Sequence, residues 1–258
     1  MCFELSKVID GKTYDNIIIP TEHWCSFEGM YSGCTSLQKA PDMLSCNFIS
    51  ADGSSDGSYS RGSTFRKIFE NCVSLKETPA IKIDTVDKYN ELPKYNADAS
   101  FKYMFSNCTS LRKVNDITLY VNNGDGSEPS VGVAGDDFFS KMFNGCTSLN
   151  EVGNLTFKFT KAPSVECMFC NCTSLTSLDL SNVTPECEAP YMLANSPKLS
   201  YIKARVVSSY GFMKHMWIIV YLGVSNTGIF ETITKYYNAE NKNPPFLPLY
   251  WKWRKSDT

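Results

Sequence analysis

Histidine is nearly absent from this chain, whose 258 residues contain only His23 and His215. No phosphate-binding G-x-x-x-x-G-K-[ST] loop, no H-E-x-x-H zinc helix and no G-x-S-x-G nucleophile elbow occurs anywhere in the sequence. The two histidines are read as interface or capping residues, and no catalytic residue and no enzymatic activity are expected. Charge runs are missing too. A formal net charge of -2 without any long basic run leaves no electrostatic footprint for nucleic acid, so nucleic acid is not expected as a partner. The apolar stretch 213–224 is broken by Lys214 and His215 and falls short of the ~20 residues a spanning helix needs, so no membrane insertion is expected. The N-terminus has no basic region followed by a continuous apolar one, and no secretory signal is expected.

Cysteine, by contrast, is plentiful, with eleven residues. An odd count in a chain long enough to bury its own core argues against a small disulfide scaffold. Placement is more informative than number. The segments GMYSGCTSL (29–37), KIFENCVSL (67–75), YMFSNCTSL (103–111), KMFNGCTSL (141–149) and CMFCNCTSL (167–175) repeat one unit, and YMLANSPKL (191–199) is a degenerate sixth. A second pattern follows the unit: Leu111, Val114, Ile117 and Leu119, then Leu149, Val152, Leu155 and Phe157, then Leu175, Leu178 and Leu180. The closing pairs alternate with period two, as a short strand does. Ahead of the unit an apolar residue precedes the anchor aromatic by four: Phe65 and Phe69, Phe101 and Phe105, Phe139 and Phe143, Val165 and Phe169. That spacing predicts a short helical turn, with Ser63, Asp98 and Asp137 as its caps.

One such unit cannot bury its apolar face alone, so the units must stack, their strands pairing into a parallel sheet. The fold class expected is an elongated solenoid of about six coils. The Cys34, Cys72, Cys108, Cys146, Cys172 and Ser196 positions are spaced by 38, 36, 38, 26 and 24 residues. The longer intervals carry Gly-, Ser-, Asp- and Pro-rich insertions at 51–63, 84–100 and 121–137. Residues 1–23 form an N-terminal lead or cap, 24–209 the repeats, and 210–258, which lack the unit, a C-terminal cap.

Stacking turns one repeat position into a column. Cys34, Cys72, Cys108, Cys146 and Cys172 should form a buried ladder of small side chains with weak hydrogen bonds, because thiols pointing the same way rarely meet disulfide geometry. Cys167, Cys170 and Cys172 spell C-x-x-C-x-C, but no second ligand pair or nearby histidine follows, so no metal is expected. The insertion aspartates lack the ordered calcium-loop series, and no cofactor is expected. For partner contact the best candidates are Tyr59, Arg61, Tyr89 and Tyr95 in the insertions, since loop aromatics and arginine supply binding energy when the core does not need them. A second candidate surface consists of the strand positions Lys82, Thr118, Thr156 and Asp179.

The MF-x-G/N-C-T-S-L unit, with YIKA, GVSNTGIF and a Pro-bearing segment ending in Trp near the C-terminus, resembles the BspA-like leucine-rich-repeat surface proteins of gut and oral bacteria, their phages and some parasitic protists. The likeness covers roughly residues 24 to 253. It implies a leucine-rich-repeat solenoid with an extracellular, cell-surface or virion role. Adhesion to a protein or glycan ligand on a cell surface follows from it, and no active site. The missing signal and the long insertions depart from the bacterial members. A virion component such as a phage tail fibre needs neither signal nor anchor. A structural spacer or self-assembling homo-oligomer is the alternative reading.

Overall fold

The computed structural model describes residues 7–9, 12–14, 28–40, 65–86, 101–122, 139–158, 164–183, 191–204, 223–232 and 250–255. Eleven strands lie among them. β1 (Lys7–Ile9) and β2 (Lys12–Tyr14) pair antiparallel, and the intervening sequence is Asp10-Gly11, a pair that two-residue hairpins favour. All the other strand pairings are parallel. β3 (Ile81–Val86), β5 (Ile117–Asn122) and β7 (Leu155–Lys158) form one sheet, and β4 (Lys113–Val114) and β6 (Glu151–Val152) form a second. β8 (Ser177–Leu180), β9 (Tyr201–Ala204), β10 (Thr227–Thr232) and β11 (Tyr250–Lys255) form a third in that order. Consecutive repeats therefore supply consecutive strands, as stacking requires. β3 and β5 run on to Val86 and Asn122, so the strands extend into what the sequence suggested were the starts of insertions 84–100 and 121–137.

The helical turns expected before each cysteine are not formed, and no helix occurs among the described residues. The backbone shows why. Each unit has two left-handed residues four apart: Gly29 and Gly33, Lys67 and Asn71, Tyr103 and Asn107, Lys141 and Gly145, Cys167 and Asn171, Tyr191 and Asn195, all with φ between 51° and 77°. A right-handed helix cannot pass through them. A chain of tight turns results, in which alternate N–H groups point opposite ways. The Met104 and Ser106 N–H groups donate within their own turn, to Phe101 O at 3.1 Å and Tyr103 O at 3.0 Å. Those of Tyr103, Phe105 and Asn107 donate to the next repeat, to Ser140 O, Met142 O and Asn144 O at 3.1, 2.8 and 2.8 Å. On the strand side the direction reverses, the Arg112 N–H donating back to Lys76 O at 2.8 Å. Ser63, Asp98 and Asp137, the expected helix caps, lie outside the described residues.

Stacking aligns like residues into columns. Tyr31, Phe69, Phe105, Phe143 and Phe169 form one, with ring centroids 5.2 to 5.5 Å apart and near-parallel planes. Phe65, Phe101 and Phe139 form another at 5.4 and 5.7 Å, and Phe157 closes it at 4.5 Å from Phe139. Leu75, Leu111, Leu149, Leu175 and Leu199 are fully buried beside them. The stretch expected as a C-terminal cap, 210–258, contributes β10 and β11, which prolong the parallel sheet beyond β9. Trp251 on β11 is buried against Gly228, where any Cβ would lie 2.6 Å from the indole, and its Nε1 donates to Ser225 O at 2.8 Å.

Because Asn107 sits at φ 59°, alanine there should destabilise the protein by about 1 kcal/mol despite its high helix propensity, whereas glycine should cost clearly less. Urea unfolding midpoints of Asn107→Ala and Asn107→Gly check this, and a more stable alanine variant would contradict the left-handed turn.

Candidate recognition surface

The cysteine column lies inside the stack. Cys72, Cys108, Cys146 and Cys172 are buried and Cys34 is half-buried at its beginning. Each buried thiol donates to the carbonyl of the anchor aromatic one repeat earlier: Cys72 Sγ to Tyr31 O and Cys108 Sγ to Phe69 O at 3.1 Å, Cys146 Sγ to Phe105 O at 3.2 Å, Cys172 Sγ to Phe143 O at 3.4 Å. In the degenerate unit the Ser196 hydroxyl makes the same bond to Phe169 O at 3.1 Å. The position thus selects a small side chain with one hydrogen to give. Burial pushes the Cys108 and Cys146 thiols well above their usual range and Cys172 up to about 12. Such thiols are the reverse of activated nucleophiles, which need a depressed pKa. Cys170 donates to Tyr191 O at 2.6 Å, and burial raises its pKa as well. Among the described residues no group of histidines, cysteines and carboxylates is arranged to hold a metal.

Of the residues suggested as partner contacts, Tyr59, Arg61, Tyr89 and Tyr95 lie outside the described residues. Lys82, Thr118 and Thr156 do come together, because the parallel register sets Lys82 opposite Thr118 and Thr118 opposite Thr156. Thr118 and Thr156 are half-buried, while their neighbours Ile117 and Leu155 point into the core. Asp179 does not join this row. Phe157 is bridged to Val183, which places Asn182 next to Thr156, and Asp179 lies on β8 opposite Lys203. The physical reason is a change in the coil. After Val114 and Val152 the chain bends before its second strand, but β8 runs straight from Ser177 to Leu180 with alternating exposed and buried residues.

Asp179 opens a second row instead, with Lys203, Glu231 and Arg254 on successive strands. Its charges alternate. Lys203 Nζ lies 4.0 Å from both Asp179 and Glu231, and Arg254 donates to Glu231 Oε2 through Nε at 2.9 Å and through a second guanidinium nitrogen. That hydrogen bond holds Arg254 above its ordinary pKa. Glu231, only 7% exposed, is thereby satisfied. A third row, Lys39, Glu77, Lys113 and Glu151, alternates likewise, with Lys113 and Glu151 at 2.8 Å. Sequence reasoning passed over both charged rows, although the period-two pattern of YIKA, GIFET and WKWRK assigns Lys203, Glu231 and Arg254 to one face.

No protein-family model, no curated protein and no solved structure matches the chain.

The thiol column has a pH signature. An unfolded thiol titrates near about 8.5, while the folded column keeps its protons, Cys172 to about 12. In that window the unfolded chain has lost protons that the folded chain retains. Stability is therefore complete below the lower limit and falls as pH rises toward the upper one, by roughly 1 kcal/mol per pH unit for each such thiol. Denaturant melts from pH 8 upward measure this, and the slope should shrink in Cys108→Ser, which keeps the hydrogen bond and removes a titrating group. An unchanged slope would show that the column is not the cause.

Proposed function

We propose that the chain is a leucine-rich-repeat solenoid of the BspA-like kind, acting without enzymatic chemistry as a recognition or adhesion module. Its ligand is a protein or glycan on a cell surface, and it works outside the cell, either on a bacterial surface or in a virion such as a phage tail fibre. The observation that carries this reading is the row Lys82, Thr118 and Thr156, one residue from each of three consecutive parallel strands. Strand pairing spaces such positions about 4.8 Å apart, which gives a regular polar strip suited to a repetitive or extended ligand. Non-enzymatic action is favoured by how the repeat uses its reactive side chains. The buried cysteines are committed to carbonyl hydrogen bonds and held in the neutral form. The insertions carrying Tyr59, Arg61, Tyr89 and Tyr95 supply the aromatic and arginine contacts of the same reading.

One observation favours a second reading, a spacer or self-assembling component. β11 ends the third sheet, and among the described residues no strand pairs with its outer side. A parallel edge of this kind can accept a strand from another molecule.

Binding of the purified chain to arrays of cell-surface glycans and surface proteins separates the two. The recognition reading expects saturable binding, weakened about tenfold or more by Lys82→Ala with Thr118→Ala and Thr156→Ala at an unchanged unfolding midpoint. No binding, together with a light-scattering mass at a small multiple of 29.0 kDa, would replace it with the self-assembling one.

A further inference from the structure

Three ammonium groups gather around one aromatic ring on the turn side of the stack. Lys67 Nζ, Lys102 Nζ and Lys141 Nζ lie 5.7, 5.6 and 5.6 Å from the centroid of Tyr103, all within cation–π range. The repeat produces this arrangement. Lys67, Tyr103 and Lys141 occupy the same position of three successive turns, brought side by side by the Lys67 N–H bond to Lys102 O and the Tyr103 N–H bond to Ser140 O. All four side chains are partly exposed.

The backbone does not ask for these residues. All three column members sit at φ 59°, and Gly29 fills the equivalent position of the first unit at φ 64°. Glycine takes that conformation freely, whereas a non-glycine residue there is strained. Asparagine and aspartate lessen that cost by bonding locally through a short polar side chain, which lysine and tyrosine lack. Cys167 and Tyr191 take the same position at φ 51° and 57°, so the turn accepts a side chain there at that cost. Ammoniums around one ring repel. Glu70 lies 3.9 Å from Lys67 and Glu166 lies 3.9 Å from Lys141, loose ion pairs that leave both ammoniums partly exposed. Burial acts to lower the pKa of Lys141, yet Tyr103, Glu166 and Cys167 hold it above the ordinary lysine value, so it stays charged at neutral pH.

We propose that Lys67, Lys102, Lys141 and Tyr103 form a subsite for an anionic saccharide, the ammoniums taking a sulfate or carboxylate group and the tyrosine ring packing against the sugar's apolar face. The subsite rests on the recognition reading and names a ligand class for it, on a different side of the coil from the Lys82 row. An inorganic anion would need the ammoniums alone. The ring at their centre adds an apolar platform with a polar tip, the combination that suits a charged sugar.

The full chain is titrated calorimetrically with dextran sulfate and with neutral dextran at about 0.15 M salt, where long-range attraction is screened. Dextran sulfate should bind and neutral dextran should not. Lys67→Gln with Lys141→Gln, which keeps the side-chain stems, should weaken binding about tenfold or more. Tyr103→Gly should weaken it comparably while holding or raising the unfolding midpoint, since glycine relieves the left-handed residue. The control is Lys76→Gln with Lys198→Gln, which removes the same charge from exposed positions elsewhere and should change affinity less than about twofold. Equal losses in the control and cluster pairs, or no binding of dextran sulfate, would overturn the subsite. If dextran sulfate fails while another surface glycan or protein binds, the subsite falls and the recognition reading stands. If the chain binds no array member either, both fall.

Discussion

The structure depends on the way each turn shares its hydrogen bonds. An α-helix closes its ladder on itself, so a helical hairpin repeat can satisfy most of its backbone before it meets a neighbour. Here two left-handed residues per unit aim every second N–H at the adjacent repeat, and each of the first four turns gives three donors, such as Tyr103, Phe105 and Asn107, to the next one. An unpaired buried amide costs on the order of a kcal/mol or more. The isolated unit is therefore unfavourable in its backbone as well as in its exposed apolar face. Stacking follows from the hydrogen bonds, and the columns follow from stacking. Rings repeating at 5.2 to 5.5 Å are what a parallel register imposes on a position that is always aromatic.

The cysteine column belongs to the same account. The carbonyl of Phe69 accepts both the Cys72 N–H of its own turn and the Cys108 thiol of the next repeat, so the side chain adds an inter-repeat bond where the backbone has none left to give. Serine does the same at position 196. Cysteine combines that donor with apolar bulk in a site closed to water, which explains its prevalence without redox or metal chemistry. The charged rows act at the opposite boundary. Lys39, Glu77, Lys113 and Glu151, and again Asp179, Lys203, Glu231 and Arg254, alternate in sign across strands. A register slip by one strand would set like charges side by side.

Much of this was legible in the sequence. The unit, its stacking, the buried Phe, Leu and Cys positions and the period-two strands could be read because each recurs at a spacing that marks one side of the chain as buried. The hand of the turn was misread, and the cause is instructive. Phe101 and Phe105 are four apart, as on one face of a helix, but a chain of tight turns also returns to the same side after four residues. The discriminating signal was the fifth position, always glycine or asparagine: Gly33, Asn71, Asn107, Gly145, Asn171, Asn195. The first left-handed position gave no signal, being lysine, tyrosine or cysteine in most units. Asp179, grouped with Lys82, Thr118 and Thr156 as one candidate surface, falls out of their register because the coil shortens after Cys146 and loses its bend, a change of path that spacing alone does not reveal.

These constraints divide the surface by how freely it can vary. Core columns and the fifth turn position are fixed by packing and backbone, and the alternating charges pair with one another. What the fold leaves open are half-buried strand positions such as Thr118 and Thr156, and the first turn position, where glycine serves the backbone best. A recognition module can alter its specificity only at positions of that kind, because changes elsewhere disturb the stack. The residue choice at the first turn position is consequently the more telling of the two. A polar residue on the outer face of a strand is ordinary, whereas lysine, tyrosine and lysine held at φ 59° in consecutive repeats oppose a local preference three times over, as Cys167 and Tyr191 do further along the stack.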